Sequence, residues 1–124
     1  MTVLVDSDIL IEVLRGRDQE ILARWMELGE SSDVILCSPV SIAELWHGAR
    51  AREHQALEDL FRALICIPID ADTGRRAGDF LHAYHKSHSV ELGDALIAAA
   101  AQQHNAMLWT RNRKHYPMRD LGFL

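Results

Sequence analysis

The feature that most constrains this chain is a short apolar run, "TVLV" (Thr2 to Val5), which stops at Asp6 and gives way to "ILIEVL". A strand with apolar side chains on both faces has to be covered on both. The apolar residues that follow have helical spacing, so the strand feeds a helix after only a tight turn. The pattern recurs: Val34 to Cys37 is followed by Ser38 and Pro39, a cap and a first helical residue, and Met107 to Thr110 follows a long apolar helix. Strands alternating with helices imply an α/β fold, a small parallel sheet with helices on both faces.

The intervening segments fill in this outline. The spacing predicts helices from Ile9 to Leu14, closed near Arg15 and Gly16, and from Gln19 to Leu28, closed by Gly29. Further helices are expected from Pro39 to about Ala51, Gln55 to Leu64, Thr73 to His88 and Leu92 to His104. "ICIPI" (Ile65 to Ile69) reads as a short edge strand, since Pro68 has no N–H to give a ladder. The terminal "LGFL" is expected to add one more short edge.

The 124 residues suit one domain spanning 1–124, large enough to bury a core without disulfides or a structural metal. With 13 basic and 18 acidic side chains the net charge is −5, so the protein as a whole exerts no pull on nucleic acid. Any such binding needs a local basic patch or a bound cation. Cys37 and Cys66 both lie in apolar segments and read as buried, reduced thiols. No secretory signal and no apolar run of membrane-spanning length is visible, so the expected location is the cytoplasm.

Ligands of an open parallel sheet bind beyond the carboxyl ends of its strands. Asp6, Ser7 and Asp8 follow the first strand; Ser38, Ser41 and Glu44 follow the second; Thr110 and Asn112 follow the last; and Asp94 opens the apolar helix leading back to it. Asp6, Glu44, Asp94 and Asn112 are therefore candidates to converge at one end of the sheet. Two carboxylates at ~4 Å repel by on the order of 4 kcal/mol at an effective dielectric of about 20. Raised pKa values or a bound cation relieve that repulsion. Oxygen-only donors suit Mg²⁺ or Mn²⁺, and a cation so held would admit a phosphodiester. Each residue also has a local reading. Asp8 can cap the helix from Ile9, Asp94 the helix from Ala95, and Ser41 with Glu44 fits a capping box. Asn112 is a common turn residue. Asp6 is the hardest to explain locally, since it ends a strand that should be central.

The segments "VLVDSDILIEVL", "SPVSIAELWHGA", "ELGDALIAAAA" and "LWTRNRKHYP" resemble, in order and spacing, the PIN domain, and within it the VapC toxins of prokaryotic toxin–antitoxin pairs. The resemblance implies a PIN-like sheet flanked by helices and a metal-dependent endoribonuclease leaving 5′-phosphate and 3′-hydroxyl ends. It implies Asp6, Glu44 and Asp94 as the ligands of Mg²⁺ or Mn²⁺, and Ser7 and Asp8 as supports for Asp6. Asn112 stands where many members carry a fourth acidic residue or an asparagine, and its neutral side chain points to orientation of water or outer-sphere help rather than direct charge. An antitoxin that blocks the site with a basic side chain, and a homodimer, are implied as partners.

The stretch "TRNRKHYPMR" places a basic patch beside these residues, with Arg111 and Arg113 as candidates for RNA phosphate contact. His82, His85 and His88 share a helix face, but no further ligand completes a zinc site, and an exposed face is expected. Trp25, Trp46 and Trp109 read as core residues. Two other functions fit part of the pattern. A haloacid-dehalogenase-type phosphatase also carries Asp-x-Asp after its first strand, but Leu10 stands where a hydroxyl is usual and "GDALIA" lacks a second acidic residue. A non-catalytic RNA- or protein-binding module would keep the fold without turnover.

Overall fold

A computed structural model describes residues 1–124. Four strands, β1 (Thr2–Val5), β2 (Val34–Cys37), β3 (Ile65–Cys66) and β4 (Met107–Trp109), form a wholly parallel sheet in the order β3-β2-β1-β4. Six α-helices connect them: α1 (Ser7–Arg15), α2 (Gln19–Glu30), α3 (Pro39–His47), α4 (His54–Arg62), α5 (Ala71–His88) and α6 (Leu92–Gln103). The α/β class and parallel sheet are as the alternating pattern predicts.

β1 is central, and its side chains alternate between two cores because successive strand residues point to opposite faces. Leu4, with Leu36 and Leu108 beside it in register, packs among Ala77 of α5 and the small residues Ala98–Ala101 of α6. Val3 and Val5 face the other way, with Cys37 and Trp109, onto Ile9 and Leu10 of α1, Ile21 and Leu28 of α2, Leu45 of α3 and Leu57 and Leu60 of α4. Helices thus cover both faces.

Several boundaries differ from expectation. α3 stops at His47, and a separate 3₁₀ turn (Ala51–Glu53) follows. α5 starts at Ala71 because Asp70 caps it, its carboxylate accepting the Thr73 N–H at 2.9 Å. β3 is reduced to two residues at the sheet edge, and "LGFL" contributes only a bridge from Phe123 to Leu108. The short β3 leaves Cys66 exposed, contrary to the expectation for both thiols, whereas Cys37 is buried. Trp109 is buried, and Trp25 and Trp46 are half-buried against the same core. No helix is long and apolar enough to cross a membrane.

Candidate active site

Three helices begin at the carboxyl end of the sheet, and each brings a carboxylate with it. α1 starts two residues earlier than its apolar spacing suggests, so Asp6 is its N-cap, not Asp8. Asp6 Oδ1 accepts the Ser7 N–H at 2.8 Å, and the Asp6 N–H donates to the Trp109 carbonyl at 2.9 Å, joining the end of β1 to the end of β4. α3 is capped by Ser38, with Pro39 following, so the Ser41–Glu44 capping box does not form and Glu44 lies within the helix. α6 begins at Leu92 with Glu91 in the cap position; Asp94 accepts the Glu91 N–H at 3.1 Å from the third helical position, and it is not itself the cap.

Asp6 is 8% exposed, and both of its carboxylate oxygens are hydrogen-bonded. Its Oδ2 accepts the Thr110 hydroxyl at 2.8 Å and the Tyr116 hydroxyl at 3.0 Å. Burial still pushes its carboxyl above the usual carboxylate range; these bonds and the Ser7 N–H oppose the rise, and the charge of Asp94 adds to it. Glu44 is held by Ser7, whose Oγ lies 3.0 Å from Glu44 Oε1 and 2.8 Å from Ser41 Oγ. Its carboxyl is also pushed up, first by burial and then by the charges of Asp6 and Asp94. The charge of Asp94 thus reaches both Asp6 and Glu44, so carboxylates from three elements distant in sequence are neighbours.

Asp8 has a different task. Its Oδ2 accepts the Arg111 N–H at 3.0 Å, pinning the turn after β4 to α1, while its Oδ1 is buried without a partner. Burial, with the adjacent Asp6 charge, raises its carboxyl to about 6. Asn112 is at the rim: its side-chain amide lies 3.0 Å from His115 Nδ1, which in turn lies 3.7 Å from Asp94 Oδ2. Arg111 pairs with Glu12 at 3.2 Å, and Arg113 donates to the Leu124 carbonyl and lies over the Phe123 ring. His82, His85 and His88 form no metal-binding group with one another or with any cysteine or carboxylate.

Two groups that hold Asp6 were not legible as such in the sequence. Thr110 stands out only as a hydroxyl following a strand. Tyr116 lies in the basic stretch with nothing to mark it, yet it is 2% exposed and its hydroxyl reaches Asp6 from 110 residues away.

The donor set suits a hard divalent cation by type, since every candidate ligand is oxygen. No three His, Cys, Asp or Glu side chains are arranged to hold one ion directly. That is compatible with Mg²⁺, which keeps several waters and is commonly bound by one or two carboxylates. Asp6 Oδ1, engaged by the Ser7 N–H alone, keeps one lone pair for a ligand, whereas Oδ2 already accepts two hydroxyls.

The sequence profile of the PIN domain matches residues 3–121, and the chain belongs to this family. Among its relatives is ribonuclease VapC10 of Mycobacterium tuberculosis, 39% identical over 118 residues that cover 94% of this chain and 86% of that protein. Ribonuclease VapC19 of the same organism is 35% identical over 93% of this chain and 92% of its own length. In shape the chain is similar to VapBC2 of Rickettsia felis, solved bound to a promoter DNA fragment: TM-score 0.81, 22% identity, covering 100% of this chain and 98% of that one.

Proposed function

We propose that this protein is an endoribonuclease dependent on Mg²⁺ or Mn²⁺, the toxin of a toxin–antitoxin pair, acting in the cytoplasm. The observation that carries this reading is that Ser7 joins Asp6 and Glu44, its N–H donating to the first and its hydroxyl to the second, with the Asp94 charge close enough to act on both. The relatives named as VapC ribonucleases support the substrate class. The test is cleavage of RNA in Mg²⁺ or Mn²⁺, lost on adding EDTA. Metal-independent cleavage, or none with either ion, would remove the assignment.

Asp6, Glu44 and Asp94 would hold the ion. When bound, such an ion supplies positive charge to the phosphodiester and lowers the pKa of water. The chain's own residues set the geometry. Thr110, Tyr116 and the Ser7 N–H fix the Asp6 carboxylate in one orientation, and the Ser7 hydroxyl fixes Glu44. Asn112, anchored to His115 through one amide hydrogen, keeps its remaining amide capacity for orienting a water. Tyr116→Phe is expected to lower cleavage about 10- to 100-fold, the usual cost of losing a group that orients a metal ligand. The missing hydrogen bond also raises Asp6 further, so the acid limb of the pH–rate profile moves to higher pH. An unmoved acid limb would leave Tyr116 with a packing role only.

The raised carboxyls predict an unusual stability profile. A carboxyl whose pKa is higher in the folded than in the unfolded protein favours folding when protonated. For Asp8 that contribution is complete below the ordinary value of 3.8 and is lost as pH rises through about 6. Asp6 and Glu44 act in the same direction. Asp33, Asp70 and Asp72, whose carboxyls are lowered, change stability only below their ordinary 3.8. The ion-free protein should therefore lose melting temperature between about pH 4 and pH 6, and a divalent cation at neutral pH should restore it. A melting temperature that rises across that interval without ion would contradict the charge arrangement.

A partner fits the same site. A groove between α1, α3 and α4 is lined by the apolar Ile11, Leu14, Leu45 and Leu57, with Arg15, Glu44 and Glu53 also in its wall. An antitoxin segment laid along it would deliver a basic side chain to the carboxylates. Homodimerisation belongs to the same proposal.

A further inference from the structure

We propose that the hollow between the end of α5 and the turn after β4 is a subsite for an RNA backbone phosphate flanking the one that is cleaved; this rests on the ribonuclease reading. The hollow is an open surface depression of about 350 Å³, lined by Ser87, His88, Ser89, Lys114 and His115. None of the five is acidic or apolar, in a chain whose acidic residues outnumber its basic ones 18 to 13. Lys114, Ser89 and the ring Nε2–H of His88 and His115 offer donors that an anion can use, while the Ser87 hydroxyl is spent on His88 Nδ1.

Lys114 joins none of the ion pairs in the structure, so its ammonium is free for a ligand. Nδ1 of His88 engages the Ser87 hydroxyl at 2.7 Å, and its ring meets Tyr84 edge-on at 5.7 Å, which leaves Nε2 available. Ser89 has φ 53, and this left-handed residue ends α5 and turns the chain round the hollow. The exposed carbonyls of a helix end disfavour an anion. Here the last turn of α5 carries His85, Lys86 and His88, and Lys114 faces it from the other wall.

Position gives the hollow its role. His115 forms one wall and also lies 3.7 Å from Asp94 Oδ2 and 3.0 Å from the Asn112 amide. A single imidazole thus separates the hollow from the acidic centre. That centre repels a polyanion until a cation occupies it, so the attraction that captures the strand has to come from beside it. A strand crossing the carboxylates would set its next phosphate against Lys114 and His88.

The test compares wild type with Lys114→Ala and with the His88→Ala/Lys114→Ala double variant on a single-stranded oligoribonucleotide. Arg75→Ala, an equal charge loss elsewhere on α5, is the control. His88, Lys114 and Arg75 are all exposed, so thermal melts of the variants should coincide with wild type. The expected result is a KM raised about tenfold by the loss of charge-assisted hydrogen bonds to the phosphate. In EDTA, the slope of log affinity against log salt should fall by about 0.7 when one phosphate of a single strand is no longer neutralised. Arg75→Ala should alter neither. Cleavage with KM and salt slope unchanged in both variants would overturn the subsite and leave the nuclease reading intact. Absence of cleavage by the wild type with Mg²⁺ or Mn²⁺ would overturn the nuclease reading and the subsite with it. Equal losses in Arg75→Ala would reduce the effect to overall charge and overturn the subsite alone.

Discussion

Asp6→Asn should lower RNA cleavage about 10³-fold while the protein folds as before. Removing one unit of charge ~4 Å from a cation forfeits on the order of 4 kcal/mol for each unit of the cation's charge at an effective dielectric of about 20, so at least that much for a divalent ion. At about 1.4 kcal/mol per tenfold in rate, that is roughly three decades. The fold should tolerate the exchange. The amide oxygen can still accept the Ser7 N–H, and the Thr110 and Tyr116 hydroxyls can rotate to accept from the new NH₂ group. Burial already penalises the Asp6 charge, so the neutral variant should melt at the same temperature as the ion-free wild type or higher. Cleavage within tenfold of wild type at saturating Mg²⁺ would mean that Asp6 is a structural cap and nothing more. A melting temperature several degrees lower would mean that the lost rate reports unfolding instead.

The sequence carried the parts of this site that depend on chain direction and left out those that depend on the chain's return. A run such as "TVLV" followed by Asp6 specifies both a buried strand and the position of its carboxyl end. The sheet rule then gathers Glu44 and Asp94 with it. Which of Asp6 and Asp8 caps α1 was not decidable locally, because either side chain is a good cap. In the fold Asp6 is the cap, and Asp8 is engaged instead by the N–H of Arg111, 103 residues away. Tyr116 is a stronger case. Its hydroxyl finds Asp6 only because the chain turns back after β4, and no periodicity encodes that turn. Cys66 failed for a similar reason. Its apolar neighbours suggested burial, but β3 pairs through only two residues at the sheet edge, and no element covers that side of it.

Leu4→Ala should cost 2–5 kcal/mol of folding stability, about the range for emptying a buried leucine site. The upper half of that range is expected because the surroundings cannot close in. Leu4 is wholly buried on the central strand, with Leu36 and Leu108 fixed beside it by register. Above it, α6 presents Ala98–Ala101, whose side chains have no length to extend into a gap. Native stability is typically about 5–15 kcal/mol, so this one truncation removes a large fraction of it. Val34→Ala, at the exposed start of β2, should stay within about 0.5 kcal/mol, and the pair can be compared by urea midpoint at constant slope. The strand that holds Leu4 leads directly into Asp6, which ties the core to the chemistry. Well below its melting temperature, Leu4→Ala should still cleave RNA at close to the wild-type rate per folded molecule, because the bonds that orient Asp6 come from Ser7, Thr110 and Tyr116 and not from the packing of Leu4. A loss of stability under about 1 kcal/mol would contradict the packed sheet–helix interface; a rate loss out of proportion to unfolding would mean that the leucine layer itself sets the carboxylate's position.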